Sequence, residues 1–407
     1  MLKPILKTVF LSALVAATYA TAEELHIRID SDASASGTRI LVAPFGNQAK
    51  IIEEDLQRSG RFALVDPSRA GSLDPESLKA SGAEYAVLGR EAGGLEFDLV
   101  NVASGEKVGS FRIPAQSNPR RVGHKAADEI FEKVTGVKGA FDTKIAYIAA
   151  SGPAKKQSYQ LIVSDADGHN PRTVASSNKP LMSPSWSPDA RQLAYVSYES
   201  GRPVVYVQDI GSGGKRAVSD PNVSSISPSW SPDGRSIALS VSNGGNYDVY
   251  VANANGGGLR QLTQERSIDT EPQWADNNTI VFTSDRGGQP QLYQVSANGG
   301  SASRMSFNGN YNAGASIAGN KVAMVRQDGG NFRIAVMNAA SREELTVSRG
   351  SLDESPALAP NGTMVLYATD AGARSSLAVA SDNGKAHQVL YSQAGDVRDP
   401  AWSPYLD

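Results

Sequence analysis

Ser183-Pro184-Ser185-Trp186-Ser187-Pro188-Asp189 is answered by Ser227-Pro228-Ser229-Trp230-Ser231-Pro232-Asp233-Gly234, and then by Glu271-Pro272-Gln273-Trp274-Ala275-Asp276. A weaker copy centres on Ala315. Another runs Ser355-Pro356-Ala357-Leu358-Ala359-Pro360-Asn361-Gly362, and the last is Asp399-Pro400-Ala401-Trp402-Ser403-Pro404. The central positions 186, 230, 274, 315, 358 and 402 stand 44, 44, 41, 43 and 44 residues apart. Self-similarity at about 40–45 residues is the signature of a propeller blade. Each motif leads into an alternating strand such as Gln192-Leu193-Ala194-Tyr195-Val196-Ser197. A second strand, a Gly/Asn turn and a short outer strand follow, which makes four short strands per unit. The central aromatic or apolar residue is expected on the innermost strand, filling the wedge between blades. Pro-Asp-Gly supplies a tight turn.

Counting the units predicts closure. Second strands begin near Lys144, Gln192, Ser236, Thr279, Lys321 and Met364. The unit at Lys144 has no motif before it, and the motif at Trp402 has no strand after it. The C-terminal segment should therefore supply the innermost strand of the first blade, hiding the edges of an open ring. Residues 139–407 read as an all-β six-bladed propeller.

The remainder reads differently. Residues 1–22 carry Lys3 and Lys7, a short apolar run and the small-residue site Ala20-Thr21-Ala22. That is a cleavable signal peptide, too short in its apolar part to span a bilayer. Residues 23–138 read as a small α/β domain. Buried strands at 39–45 and 84–89 and a hairpin around Ser104-Gly105 form a mixed sheet. Helices at 49–59, from Asp74-Pro75 to Gly82, and after Asn118-Pro119 cover it.

Composition narrows the function. The chain of 407 residues has a net charge of −3 and no cysteine. A basic face for nucleic acid is not indicated, and disulfides, thiolate catalysis and cysteine zinc sites are excluded. There is no Gly-x-Ser-x-Gly elbow, no Walker loop and no dinucleotide fingerprint. The four histidines, His26, His124, His169 and His387, have no metal-ligand spacing. Asp165-Ala166-Asp167-Gly168 resembles the start of a calcium loop, but later ligands do not follow at the required spacing, and a blade turn explains it better. No enzyme and no cofactor are expected.

One constellation points to binding. The residues just before each innermost strand should approach the axis at one mouth of the channel. They include Met182 and Ser183, Ser224 and Ser227, and Thr270 and Glu271. Asp353 and Glu354, with Arg398 and Asp399, complete the ring. The plain alternative is a ring of solvated loop ends. The functional reading is a protein-docking funnel on a rigid scaffold. Glu271 precedes Pro272, which should hold it extended. As a loop-end residue, its loss is expected to leave stability unchanged.

These residues resemble the TolB family of the Tol–Pal system. The resemblance rests on Glu132-Lys133-Val134-Thr135-Gly136-Val137-Lys138-Gly139-Ala140-Phe141, on Leu352-Asp353-Glu354-Ser355-Pro356 and on Pro400-Ala401-Trp402-Ser403-Pro404-Tyr405-Leu406, and it covers nearly the whole mature chain. It implies a periplasmic, non-enzymatic scaffold that maintains outer-membrane integrity and supports constriction in cell division. Pal would bind at the channel mouth, where Thr270 and Glu271 match family positions. The loop from Ser224 to Ser227 departs from a family pattern of His-Asn-Gly-Ala. TolA would take the N-terminal strand Glu23, Glu24, Leu25, His26, Ile27, Arg28, Ile29 and Asp30, expected to be separable from the fold. Colicin translocation segments and other outer-membrane proteins are further implied partners. Two other classes stay open: a propeller hydrolase accessory, which lacks a nucleophile motif, and a propeller binding a small molecule or carbohydrate, which would need aromatics at the channel mouth.

Overall fold

The computed structural model describes residues 24–29, 37–153, 156–370, 374–391 and 395–406. The leader reading, Glu23 and Asp30 lie outside the described residues.

The N-terminal domain is a five-stranded mixed sheet. Its strands are β2 (Thr38–Val42), β3 (Phe62–Leu64), β4 (Tyr85–Glu91), β5 (Gly94–Asn101) and β6 (Lys107–Pro114), in the order β3-β2-β4-β5-β6. β2 lies parallel to both its neighbours, and β4, β5 and β6 are antiparallel. A separate strand, β1 (His26–Ile29), belongs to the propeller. Helices α1 (Asn47–Arg58) and α3 (Arg120–Thr135) press Ile52, Leu56, Val122, Ala126 and Ile130 into the core. Helix α2 (Pro75–Ser81) starts and stops where its residues dictate. The Asp74 side chain accepts from the backbone N–H of Glu76 and Ser77, and Gly82 takes the left-handed φ of 79° at the end.

Six four-stranded antiparallel blades follow, the sixth extended by β1. Their innermost strands are Leu181–Trp186, Ser225–Trp230, Asp269–Asp276, Asn312–Ala318, Asp353–Leu358 and Asp396–Trp402. The last is paired with β7 (Lys144–Ser151), Trp402 opposite Ile145, so the C-terminus closes the first blade as the count predicts. The Trp402 Nε1 donates to Thr143 Oγ1 at 2.8 Å, and the Lys144 N–H donates to Ser403 Oγ at 2.9 Å.

Packing between blades follows the repeat. Five hydrophobic clusters lie each between two successive blades, built from residues such as Leu193 and Tyr195, Ile237 and Leu239, or Val365 and Tyr367. The sixth seam, between the last blade and the first, is different. There Met364, Leu366, Ile145, Tyr147 and Trp402 share one continuous core with Ile52, Leu56, Phe62, Ile130 and Phe131 of the N-terminal domain. The domain is thus seated on the closure seam. Polar links reinforce the seat: the Asn383 Nδ2 donates to Gly60 O at 3.0 Å, and Arg61 pairs with Asp382 at 2.6 Å. Outer edges are stapled too, with Arg172, Arg216 and Arg260 each donating to a backbone carbonyl of the next blade, Ile210, Ala254 and Ala297.

Trp402→Ala should cost about 3–5 kcal/mol, as for other buried aromatic truncations. Deleting residues 399–407 should lower the melting temperature more, because it removes ladder pairing as well as packing. An unchanged melt for the truncated chain in calorimetry would refute closure through this strand.

A channel mouth built from six left-handed residues

Each innermost strand carries the same irregularity at its axial end. The ladder register shifts between Met182 and Ser185, Ile226 and Ser229, Thr270 and Gln273, Ala313 and Ser316, Glu354 and Ala357, and Arg398 and Ala401. In each bulge one residue is left-handed: Ser183 (φ 51°), Ser227 (52°), Glu271 (55°), Gly314 (62°), Ser355 (53°) and Asp399 (48°). Five of them precede proline, which by itself favours an extended conformation. The expectation that Pro272 holds Glu271 extended is therefore wrong. The bulge, which re-aims a side chain and sharpens the bend of the strand, overrides it. A left-handed non-glycine residue costs on the order of 1–3 kcal/mol and persists only where its surroundings over-determine it.

Inter-blade hydrogen bonds do so at two of the six junctions. The Glu271 Oε2 accepts from the Gly314 N–H at 2.9 Å and from Thr283 Oγ1 at 2.8 Å. The Asp399 Oδ2 accepts from the Ser183 N–H at 3.2 Å. In both cases a carboxylate at the left-handed position of one blade holds the backbone of the same position in the next. All six line a mouth chamber of about 120 Å3.

The ring brings four of the ten expected residues into the chamber wall. Ser183, Ser227, Glu271 and Asp399 line the chamber. Ser224, Thr270 and Arg398 are half-buried beside it, while Met182 and Glu354 are exposed. Asp353 is corrected. It is fully buried, accepting from the Gly350 N–H at 2.9 Å and Thr369 Oγ1 at 2.6 Å. Strand alternation gives the reason. The position two before each left-handed residue turns into the blade in all six units, as Leu181, Ser225, Asp269, Asn312, Asp353 and Val397. Asp269 is likewise spent internally, on Arg286 at 2.8 Å.

The sequence reading missed an apolar rim. Ile268 and Leu352, immediately before two inner strands, are exposed, and so is Phe307 at 63 % on the connection into the next. Tyr311, half-buried, precedes Asn312 in the same register. Aligning the units on the left-handed residue reveals this position as Ile268, Tyr311 and Leu352. Within the rim the field is acidic. Although the Glu354 side chain reaches the surface, partial desolvation of its carboxyl raises its pKa, and Asp399, Asp370 and Glu271 add to the rise. Burial also raises that of Asp399, against the Ser183 N–H and Arg398. Tyr311 is pushed up by burial and then by Glu271 and Glu354.

The N-terminal segment, expected to be separable from the fold, is docked on the last blade. β1 extends the last blade, pairing antiparallel with His387–Tyr391, His26 opposite Tyr391 and Ile29 opposite Gln388. Leu25 is buried against Gly168, where an added Cβ would come within 2.8 Å of its own. Glu24 pairs with His169. The same turn holds the N-terminal domain. His124, buried, bonds Asp55 through Nδ1 at 2.6 Å and faces Asp167 at 3.3 Å. Burial opposes its charge, yet the two carboxylates raise its pKa to about 10. The Arg58 Nη1 donates to Ala166 O at 3.1 Å, Arg120 pairs with Asp167, and Lys144 with Asp165. The Asp165-Ala166-Asp167-Gly168 turn is thus an ionic junction whose carboxylates are already matched by cations.

Fold and mouth together define a propeller with a rigid, acidic, apolar-rimmed ring at one end of its channel. The TolB beta propeller domain family matches residues 131–406. The Tol-Pal system protein TolB of Xanthomonas campestris pv. campestris (strain B100) is 46 % identical over 100 % of this chain and 99 % of its own. The same protein of Xanthomonas oryzae pv. oryzae (strain PXO99A) is 44 % identical over the same shares. The crystal structure of TolB from Acinetobacter baumannii superimposes with a TM-score of 0.85 at 35 % identity, covering 94 % of this chain and 100 % of that one. The chain belongs to the TolB family.

Because Asp399 holds its proton more tightly folded than unfolded, it favours folding at acid pH and withdraws that support as pH rises through its folded-state pKa. Asp399→Asn should therefore melt higher than the parent at neutral pH, with the difference closing towards about pH 4, near the ordinary aspartate pKa. A pH-independent difference across thermal melts would contradict this.

Proposed function

We propose that this protein is a non-enzymatic periplasmic scaffold of the Tol–Pal system that binds Pal at the channel mouth and TolA through residues 23–30. In that role it maintains outer-membrane integrity and supports outer-membrane constriction in division. The observation that carries the reading is the six-residue left-handed ring with its acidic centre and apolar rim. Loops on a rigid scaffold bind without reorganising, and a desolvated carboxylate at the centre gives charge-assisted hydrogen bonds. Glu271 keeps one oxygen for a partner while the other holds Gly314. Three histidine side chains serve structural pairs, His124 with Asp55, His169 with Glu24 and His387 with the Tyr367 hydroxyl, which supports a binding role over catalysis.

For TolA, the docked position of β1 offers an edge. β1 is the outermost strand of the last blade: it pairs with His387–Tyr391 on one side, and among the described residues no strand pairs with its other side, so the backbone groups there can add to a partner's sheet. Colicin translocation segments and other outer-membrane proteins would compete for the mouth or for this strand.

Glu271→Ala should weaken Pal binding by about 2–5 kcal/mol. It should also cost roughly 1 kcal/mol of stability through the lost Gly314 and Thr283 bonds. Glu199→Ala, whose carboxylate pairs with Lys215 at 2.7 Å outside the mouth lining, is the control. Calorimetric titration with Pal decides, and equal affinities for the two variants would move the site elsewhere. Removing residues 23–30 should abolish TolA binding and leave Pal binding intact; TolA binding that survives would sink that assignment.

A further inference from the structure

All four tryptophans of the chain, Trp186, Trp230, Trp274 and Trp402, line a second chamber of about 300 Å3 in the axial channel. It shares Pro184, Gln273, Ala315, Pro356 and Pro400 with the mouth chamber and lies on the other side of that constriction. Its wall differs in kind from the acidic mouth. Among the described residues no charged side chain lines it. Hydroxyl and amide groups come from Ser185, Ser229, Ser316 and Gln273. Three indoles are more than nine-tenths buried, and Trp274 is the least covered.

Two of the four indole N–H groups follow one rule, and that of Trp402 goes instead to Thr143 Oγ1. The Trp186 Nε1 donates to Ala401 O at 3.1 Å and the Trp274 Nε1 to Ser229 O at 3.1 Å, each the carbonyl just before the tryptophan of the preceding blade. By that register Trp230 should reach the Ser185 carbonyl. Its Nε1 has no acceptor among the described residues, although the side chain is only 9 % exposed. A buried donor left unmade is costly, and among the four indoles of this wall the Trp230 N–H is the one without an acceptor among the described residues.

We infer that this chamber binds a neutral, polyhydroxylated small molecule of one or two sugar rings. An ionised ligand would find no counter-charge there. The C–H face of a sugar packs on an indole, above all on Trp274. Its hydroxyls both donate and accept, matching the serines, the Gln273 amide and the Trp230 N–H. The volume sits at the small end of ligand pockets, about 300–1,000 Å3. An aromatic-lined sugar site was expected, if anywhere, at the mouth; the aromatics stand at the other chamber. The inference rests on the indole wall and not on the ring of carboxylates or the apolar rim, and survives failure of the Pal proposal.

Tryptophan emission reports on this chamber alone, because the chain has no tryptophan outside its wall. The full mature chain is titrated with glucose, N-acetylglucosamine and maltose, and with glucuronate and glucosamine as charged probes of like size. At least one neutral sugar should give a saturable emission change with a Kd of about 1 mM or tighter, and each charged probe should bind about tenfold or more weakly. Gln273→Glu, which adds a charge to the wall, should abolish the response. Trp230→Phe, which removes the orphan donor, should weaken it at least about threefold without changing the circular-dichroism melt. If Trp230→Phe fails to fold, Gln273→Glu alone decides. A linear response with no saturation at about a hundredfold higher sugar would mean that solvent alone fills the chamber. Equal binding of charged and neutral probes, or calorimetric binding with silent tryptophans, would overturn the inference as well.

Discussion

The pairing of Asp396–Trp402 with Lys144–Ser151 is the interaction on which the rest depends. It joins residues more than 240 positions apart, so its loop-closure entropy must be met before the ring gains anything from it. Once made, it converts six blades that each need two neighbours into a ring in which every blade has them. The N-terminal domain exploits the same place. Its core runs without a break into the seam between last and first blades. The seam that closes last in sequence therefore receives the most cover, and the N-terminal strand extends the outer edge of the blade beside it.

Closure also explains the mouth. Six inner strands converge on one axis, and each bends there through a bulge with a left-handed residue. The strain is held by bonds that pass from one blade to the next, as from the Gly314 N–H to Glu271 and from the Ser183 N–H to Asp399. The carboxylates are thus both framework and surface. That double use is why Glu271 cannot be judged a free loop-end side chain, and burial in the ring leaves Asp399 holding its proton more tightly.

Much of this was legible in the chain. The period of the Trp motif predicted the blades, and the unmatched units at Lys144 and Trp402 predicted how the ring closes. What could not be read depends on geometry that periodicity does not carry. Asp353 and Glu354 are neighbours in sequence, but strand alternation sends one into the blade and the other to the mouth. Pro272 argued for an extended Glu271, while the bulge demanded the opposite. The docking of Leu25 on Gly168, and the burial of His124 between Asp55 and Asp167, join segments that no local pattern links. The apolar rim position of Ile268, Tyr311 and Leu352 becomes visible only when the units are aligned on the left-handed position.

The central claim is that the acidic, apolar-rimmed mouth is the face that Pal covers. Amide hydrogen exchange on the full mature chain, with and without saturating Pal, tests it without altering a residue. The account predicts slowed exchange in the connections that enter the inner strands, around residues 264–271, 307–314 and 350–355. It predicts little change at the turns around 188–191, 233–235 and 361–363 on the opposite face. Protection confined to those opposite turns or to the N-terminal sheet, with the mouth connections unchanged, would contradict it.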